Sequence, residues 1–152
     1  MKPEAIETLT RRFIDAIAKG DVTLFDEVVA DDVCDRSREP STRGRATLKA
    51  RAAAVHAALA DMTGAIDDLV IDVREDDARI AWRWTLTGIH VGTLFGLAPT
   101  QARIHLRGVN FQRLHGGVVV EHWTTIDTFG AREEIAAASD LGSRGPSPSR
   151  VG

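Results

Sequence analysis

The chain has 152 residues, which is enough for one domain and too few for two ordinary ones. Its 43% hydrophobic and 27% charged residues are typical of a soluble globular domain, and a net charge of −3 without a basic stripe argues against nucleic acid or an anionic membrane as a partner. The single cysteine excludes an internal disulfide, and no apolar run approaches the roughly 20 residues of a membrane span, so we expect a cytoplasmic protein.

The first part of the chain has helical periodicity. Apolar residues recur every three or four positions, with Pro3 suited to a first turn and Gly20 to a helix end. The pattern predicts three helices: Pro3 to Lys19, Asp21 to Val29, and about Arg45 to Ala60. Turn-forming and charged residues between Asp31 and Gly44 predict a loop there.

The period then changes from 3.6 to 2, which is typical of strands. Four strands are predicted: Ile66 to Val73, Ala78 to Gly88, Ala102 to Leu114, and Val118 to Asp127. A short helix should follow at Arg132 to Ala138, and residues 143–152 should form a flexible tail behind a single domain of residues 1–142. Helices followed by strands predict an α+β fold, a curved antiparallel sheet packed on three N-terminal helices around a cone-shaped cavity that suits small apolar ligands.

Gly116-Gly117 predicts a hairpin between the last two strands. Strict alternation along the second strand places Trp123 and Asp127 in the cavity and His122 on the outer face, an assignment that a β-bulge would reverse. On the first strand, a two-residue turn places Asn110 on the face of Trp123, whereas a three-residue loop places Phe111 there. Asn110 and Phe111 therefore both remain candidates for lining the cavity.

Two residues could carry acid/base chemistry. Asp127, held by a strand in an apolar cavity, would have a raised pKa and could exchange a proton, although it could equally cap the final helix. His90, in the segment T-G-I-H-V-G, could be its partner or a loop histidine bonded to backbone. The spacing of the histidines matches no ligand pair, so we expect no metal site. The chain has no tyrosine, which excludes a Tyr hydroxyl as an oxyanion donor.

Several segments carry a family pattern: W-T-L-T-G-I-H-V-G from Trp84, then Phe95-Gly96, Pro99-Thr100 and Gly108, and E-H-W-x-x-x-D from Glu121. Together they resemble the SnoaL-like polyketide cyclase family of the NTF2-like superfamily, from roughly Ala5 to Gly142. The resemblance implies a cone-shaped barrel, a homodimer and a deep apolar pocket. It also implies an intramolecular aldol ring closure of an aromatic polyketide ester without metal or cofactor, with Asp127 matching the catalytic Asp and His90 the motif His.

We therefore expect a cofactor-independent enzyme that acts on a hydrophobic carbonyl compound, in which Asp127 relays a proton and His90 polarises a carbonyl or shuttles the proton. The substrate would contact four further side chains, those of Trp84, Asn110, Phe111 and Trp123. Two alternatives remain, namely an epoxide hydrolase or dehydratase on the same scaffold and a non-catalytic binding protein. Epoxide hydrolases of this superfamily use an Arg between two carboxylates and a Tyr, so the missing Tyr argues against the first.

Overall fold

The computed structural model describes residues 1–143, and the predicted tail of residues 143–152 lies almost wholly outside them. It contains four helices: α1 Pro3–Lys19, α2 Leu24–Val28, α3 Arg45–Ala58 and α4 Thr128–Ser143. It contains six strands: β1 Val29–Asp35, β2 Thr42–Arg43, β3 Leu59–Arg74, β4 Asp77–His90, β5 Arg103–His115 and β6 Val118–Ile126. The predicted helices and the four long strands are all present, and α4 extends well beyond its predicted ends.

The six strands form one curved sheet in the order β2-β1-β6-β5-β4-β3. All neighbouring pairs are antiparallel except β1 and β6, which run parallel. The loop predicted between Asp31 and Gly44 is therefore wrong, because β1 lies in the sheet and is followed by β2. Three consecutive residues of β1, Val33 to Asp35, are buried, so the strand lacks the alternation that would have marked it.

The helices pack on the concave face of the sheet and close the core. Phe13 of α1 lies 4.7 Å from Phe25 of α2 and 6.2 Å from Trp82 of β4 between ring centroids, the latter edge to face. The α+β class with a curved sheet over N-terminal helices is thus confirmed. No helix within residues 1–143 is long and apolar enough to cross a membrane.

The hairpin of β5 and β6 has a two-residue turn and, further along, a β-bulge. His115 pairs with Val118 across Gly116 and Gly117, which both adopt positive φ. Leu114 then pairs with Val119 but Arg113 with Glu121, so one residue of β6 is unpaired there. Because a one-residue slip exchanges the two faces of a strand, His122 points inwards and Trp123 outwards, the reverse of strict alternation.

Candidate functional site

A cavity of about 320 Å³ lies between the concave face of the sheet and the helices α1 and α3. Most of its wall is apolar and aromatic, and its main polar side chains come from the chain after β1, from α3, and from β5 and β6. The lining includes Phe13, Ile14, Ile17, Leu48, Val55, Trp82, Trp84, Phe95, Leu106 and Ile126, with Ser37, Arg38, Arg51, Asn110, His122 and Thr124 as its main polar members. A mostly apolar pocket with a few converging polar groups is typical of a small-molecule site.

Trp84 and Asn110 line this cavity, and Asn110 is one of the two residues of β5 that the sequence left as candidates. Both are buried, and the indole Nε1 of Trp84 donates a hydrogen bond of 2.9 Å to Asn110 Oδ1. Thr124 Oγ1 donates to the same oxygen at 2.7 Å. With Oδ1 so occupied, the amide orientation of Asn110 is fixed and its Nδ2, which has no partner within residues 1–143, remains a donor for a ligand.

Asp127 does not line the cavity, so its predicted placement is wrong. Strand β6 ends at Ile126, and the exposed Asp127 accepts a hydrogen bond of 2.8 Å from the backbone N–H of Gly130 in the first turn of α4. This is the position and bond of a helix N-cap, the alternative role considered for this residue. The Asp127 carboxylate is therefore engaged at the start of α4 and lies outside the cavity.

His90 is fully buried at the end of β4, but it too lies outside the cavity lining. Its Nδ1 lies 3.3 Å from Thr100 Oγ1, and its Nε2 has no partner within the described part of the chain. Burial lowers the pKa of this imidazole, which keeps the ring neutral. The structure therefore does not bring His90 and Asp127 together in the cavity.

Phe111 and Trp123 lie on the outer face of the sheet, so their predicted places in the pocket are also wrong. They are cross-strand partners whose ring centroids are 5.4 Å apart in an edge-to-face arrangement. The guanidinium of Arg36 lies 5.8 Å from the Trp123 ring. The bulge in β6 placed Trp123 on this face opposite Phe111; without it, the two-residue turn would have put Asn110 on the face of Trp123.

His122 occupies the inward position instead, at the end of a chain of three hydrogen-bonding side chains. The indole N–H of Trp82 donates to Gln112 Oε1 at 3.3 Å, so the Gln112 amide must direct its Nε2 towards His122 Nδ1, 3.1 Å away. Because an indole N–H only donates, this order fixes Nδ1 as an acceptor. The neutral imidazole then carries its hydrogen on Nε2, which has no partner within residues 1–143.

The charge state of His122 follows from its surroundings. Burial is the main cause that lowers its pKa to about 4, the nearby Asp35 partly offsets this, and Arg51 lowers it further. His122 is therefore a neutral hydrogen-bond donor at pH 7. A neutral imidazole with a fixed Nε2–H can polarise a carbonyl oxygen without first having to lose a proton.

This buried histidine should make the stability of the protein depend on pH. An unfolded histidine has a pKa of about 6.5, so between that value and about 4 the unfolded chain binds a proton that the folded chain does not. The stabilisation is complete above about pH 6.5 and is lost as the pH falls towards 4, to a total of about 3 kcal/mol. Urea unfolding at pH 7 and near pH 4.5 should show that His122→Asn loses less stability than the wild type. Equal losses in both proteins would show that His122 does not cause this dependence.

Asp35 and Arg51 form an ion pair behind His122 that the sequence did not reveal. Asp35 is 3% exposed and its Oδ2 accepts from Arg51 Nη2, while Oδ1 accepts from the backbone N–H of Ser37 at 3.0 Å and from its hydroxyl. The Ser37 hydroxyl oxygen in turn accepts from the backbone N–H of Thr124 at 3.0 Å. The pair thus ties β1 and α3 to β6 beside the cavity, and only a correct assignment of β1 would have placed Asp35 there.

Gly108 provides the space that Trp84 occupies. A Cβ at this position would lie 2.3 Å from Trp84 Cζ2 and 2.8 Å from the backbone oxygen of Thr125. Gly108→Ala should therefore displace the ring and destabilise the protein by about 1–3 kcal/mol, measured by urea unfolding. Gly142→Ala, where a Cβ meets nothing within 4 Å, is the matched control and should be neutral. If the urea midpoint of Gly108→Ala equalled that of the wild type, the Trp84 ring would not be confined by the backbone at Gly108.

Within residues 1–143, no three His, Cys, Asp or Glu side chains lie together as metal ligands would. The site has instead an apolar wall with imidazole, amide and guanidinium donors. An α+β fold of this shape, with a curved sheet over N-terminal helices and a cavity between them, has the NTF2-like architecture.

Comparison with known proteins agrees with this class. Residues 7–135 match the model of the SnoaL-like polyketide cyclase family, and the chain belongs to that family, as its motifs indicated. A search of the curated proteins found no match.

Solved structures share the fold at low sequence identity. TsrD from Streptomyces laurentii is 22% identical with a TM-score of 0.77, the alignment covering 90% of this chain and 98% of that one. AclR, described as a putative hydroxylase from Streptomyces galilaeus, is 24% identical with a TM-score of 0.72, and the alignment covers 86% of this chain and 95% of AclR. IdmH, described as a putative polyketide cyclase from Streptomyces antibioticus, is 23% identical with a TM-score of 0.69, and the alignment covers 86% of this chain and 97% of IdmH. At these identities the likeness concerns the fold.

Proposed function

We propose that this protein is a cyclase that closes a ring in a hydrophobic carbonyl compound, without a cofactor, by an intramolecular aldol reaction in the cavity. The observation that carries the proposal is the fixed Nε2–H of neutral His122 in an apolar pocket, backed by Gln112 and Trp82. The family to which the chain belongs supports the reaction class. Asp127 and His90, which the family resemblance suggested as catalytic residues, have no part in this scheme because both lie outside the cavity lining.

The hydrogen-bond donors of His122 and Asn110 suit the step in which negative charge develops on the attacked carbonyl oxygen. As the enol carbon attacks the carbonyl carbon, a C–C bond forms and the carbonyl π electrons move to oxygen, which takes a proton from solvent. The enol hydroxyl releases its own proton to solvent as its C=O bond forms. His122 Nε2–H and Asn110 Nδ2–H would stabilise the developing oxyanion. The enol forms beforehand by tautomerisation at the carbon beside the second carbonyl, and the scheme assigns no base of the protein to that step. The apolar wall excludes most water and strengthens both hydrogen bonds.

The proposal is tested with an aryl-substituted linear diketone, whose ring closure and dehydration give an enone that absorbs in the near ultraviolet. We expect the protein to accelerate enone formation with saturation at increasing diketone concentration. Running the reaction in ¹⁸O-labelled water and analysing primary products would separate ring closure from hydrolysis, which adds a solvent oxygen. Binding without any rate increase for a series of such diketones would instead favour a non-catalytic binding protein.

The hydrolase alternative has less support in the geometry. Epoxide hydrolases of this superfamily place an arginine between two carboxylates, whereas Arg51 has one carboxylate partner, Asp35, within residues 1–143. That carboxylate is buried and is already occupied by Ser37 and Arg51, and it is absent from the cavity lining. It is therefore poorly placed to activate a water molecule there.

We also propose that the protein is a cytoplasmic homodimer that pairs through the outer face of the sheet. Val109 and Phe111 are 47% and 41% exposed there, beside Trp123. Adjacent exposed apolar side chains on a sheet indicate an interface more than isolated ones do.

Phe111→Glu should convert the dimer to a monomer at micromolar concentration in sedimentation velocity, because a charge would be buried without a partner. Leu141→Glu is the control, since Leu141 is also an exposed apolar residue, at 74%, near the C-terminal end of α4. A wild-type protein that sediments as a monomer would refute the dimer.

A further inference from the structure

The charge of the cavity is opposite to that of the whole chain. The chain carries a net charge of −3, yet its cavity is lined by two arginines, Arg38 and Arg51, and by no carboxylate. Because the surrounding wall is apolar, the field of these cations is weakly screened inside the cavity. A ligand without charge would leave Arg38 without a counter-ion within residues 1–143, whereas Arg51 keeps Asp35.

Arg51 is only partly neutralised by its ion pair. One guanidinium nitrogen, Nη2, donates to Asp35, and the side chain retains 31% exposure. A guanidinium has five N–H donors, so the remaining ones can meet a second anion, and no other acceptor for them occurs within residues 1–143. Asp35 itself is 4% exposed in its side chain and cannot turn towards the cavity without leaving Ser37.

Arg38 is the second cation and has no ion pair or side-chain hydrogen bond within residues 1–143. It is exposed and lines the cavity, so it lies at the opening, three residues after the buried Asp35. The two arginines therefore line the same cavity as Asn110 and His122, whose Nδ2 and Nε2 have no partner within residues 1–143.

We infer that Arg38 and Arg51 bind a carboxylate of the substrate, which makes the substrate a hydrophobic keto acid. The inference rests on the proposed function, because it assigns the carbonyl of the same molecule to His122 and Asn110. Planar guanidinium groups match carboxylates in bidentate geometry, which gives both orientation and affinity. A bound carboxylate also offsets the positive charge of Arg51 next to His122.

The test compares octanoate with octanol, two probes that share their chain and differ in charge. Trp82 and Trp84 line the cavity, so binding is followed by intrinsic fluorescence in a Trp123→Phe background that removes the outer-face indole. We expect octanoate to bind the parent at least tenfold more tightly than octanol, and added salt to weaken octanoate alone.

Arg38→Gln should weaken the binding of octanoate about threefold to tenfold and leave the affinity for octanol unchanged. Arg51→Gln should weaken octanoate tenfold or more, but it also removes the partner of Asp35, so Arg38→Gln is the decisive variant if Arg51→Gln fails to fold. Arg43→Gln, an exposed position on β2, is the control and should change neither affinity.

Three results would overturn the inference. The parent could bind octanoate and octanol with equal affinity, it could fail to bind octanoate, or Arg38→Gln could weaken the binding of both probes equally. Failure of the cyclase proposal appears separately, as absent turnover of the aryl diketone, both without and with a terminal carboxylate, by a protein that still prefers octanoate.

Discussion

Replacing His122 by asparagine should lower kcat for ring closure by about 10²–10³-fold with little change in KM, the usual effect of removing one oxyanion donor. The asparagine Oδ1 can occupy the place of imidazole Nδ1 and keep the bond from Gln112, while no atom replaces Nε2. His122→Gln puts an amide nitrogen near the Nε2 position and should restore part of the activity. Steady-state kinetics with the aryl diketone, together with circular dichroism to confirm folding, measures both effects.

Asp127→Asn is the matched comparison for that experiment. Asparagine is as good a helix N-cap as aspartate, so the bond to Gly130 and the start of α4 should persist. Turnover should therefore remain near the wild-type value. If Asp127→Asn abolished turnover and His122→Asn did not, the acid/base role first inferred for Asp127 from the sequence would be correct and the account based on His122 wrong.

Asp35→Asn should cause the largest loss of stability, about 2–4 kcal/mol in the free energy of unfolding. The change leaves Arg51 beside an uncharged partner and weakens the bonds that join Ser37 to Asp35. Urea unfolding at pH 7 measures it. A double-mutant cycle with Arg51→Met should show a coupling energy above about 1 kcal/mol, because the two residues are in direct contact.

The control for Asp35 is Asp31→Asn. Asp31 also pairs with an arginine, Arg45, but its side chain is 94% exposed. Exposed ion pairs contribute about 0–1 kcal/mol, so this variant should unfold close to the wild-type midpoint. Equal effects of the two substitutions would mean that the pair of Asp35 and Arg51 does not hold β1 to α3.

The regular parts of this fold could be predicted from the sequence because their periodicity is strong. Both ends of helix α1 were predicted correctly, since Pro3 and Gly20 mark them. The predicted ends of β4, β5 and β6 lie within two residues of the observed ones. Strand β1 could not be recognised, because its parallel partner β6 lies about ninety residues further along the chain. Its buried run, Val33 to Asp35, has no alternation to reveal it.

The site was harder to predict because it depends on a single unpaired residue. Without the bulge in β6, Trp123 would face the cavity, and the sequence contains no local signal for the bulge. The sequence left Asn110 and Phe111 both open, and the structure places Asn110, together with Trp84, in the cavity lining. Asp35 and Arg51, sixteen residues apart on a strand and a helix, come together only through tertiary packing.

The most direct test of the account is the protonation state of His122 in solution, measured by ¹⁵N NMR of its ring nitrogens with the assignment made by comparison with His122→Asn. At pH 7 we predict a neutral ring with hydrogen on Nε2 and none on Nδ1, which begins to titrate only as the pH approaches about 4. A hydrogen on Nδ1, or an imidazolium at neutral pH, would contradict the hydrogen-bond order from Trp82 through Gln112 and with it the proposed role of His122.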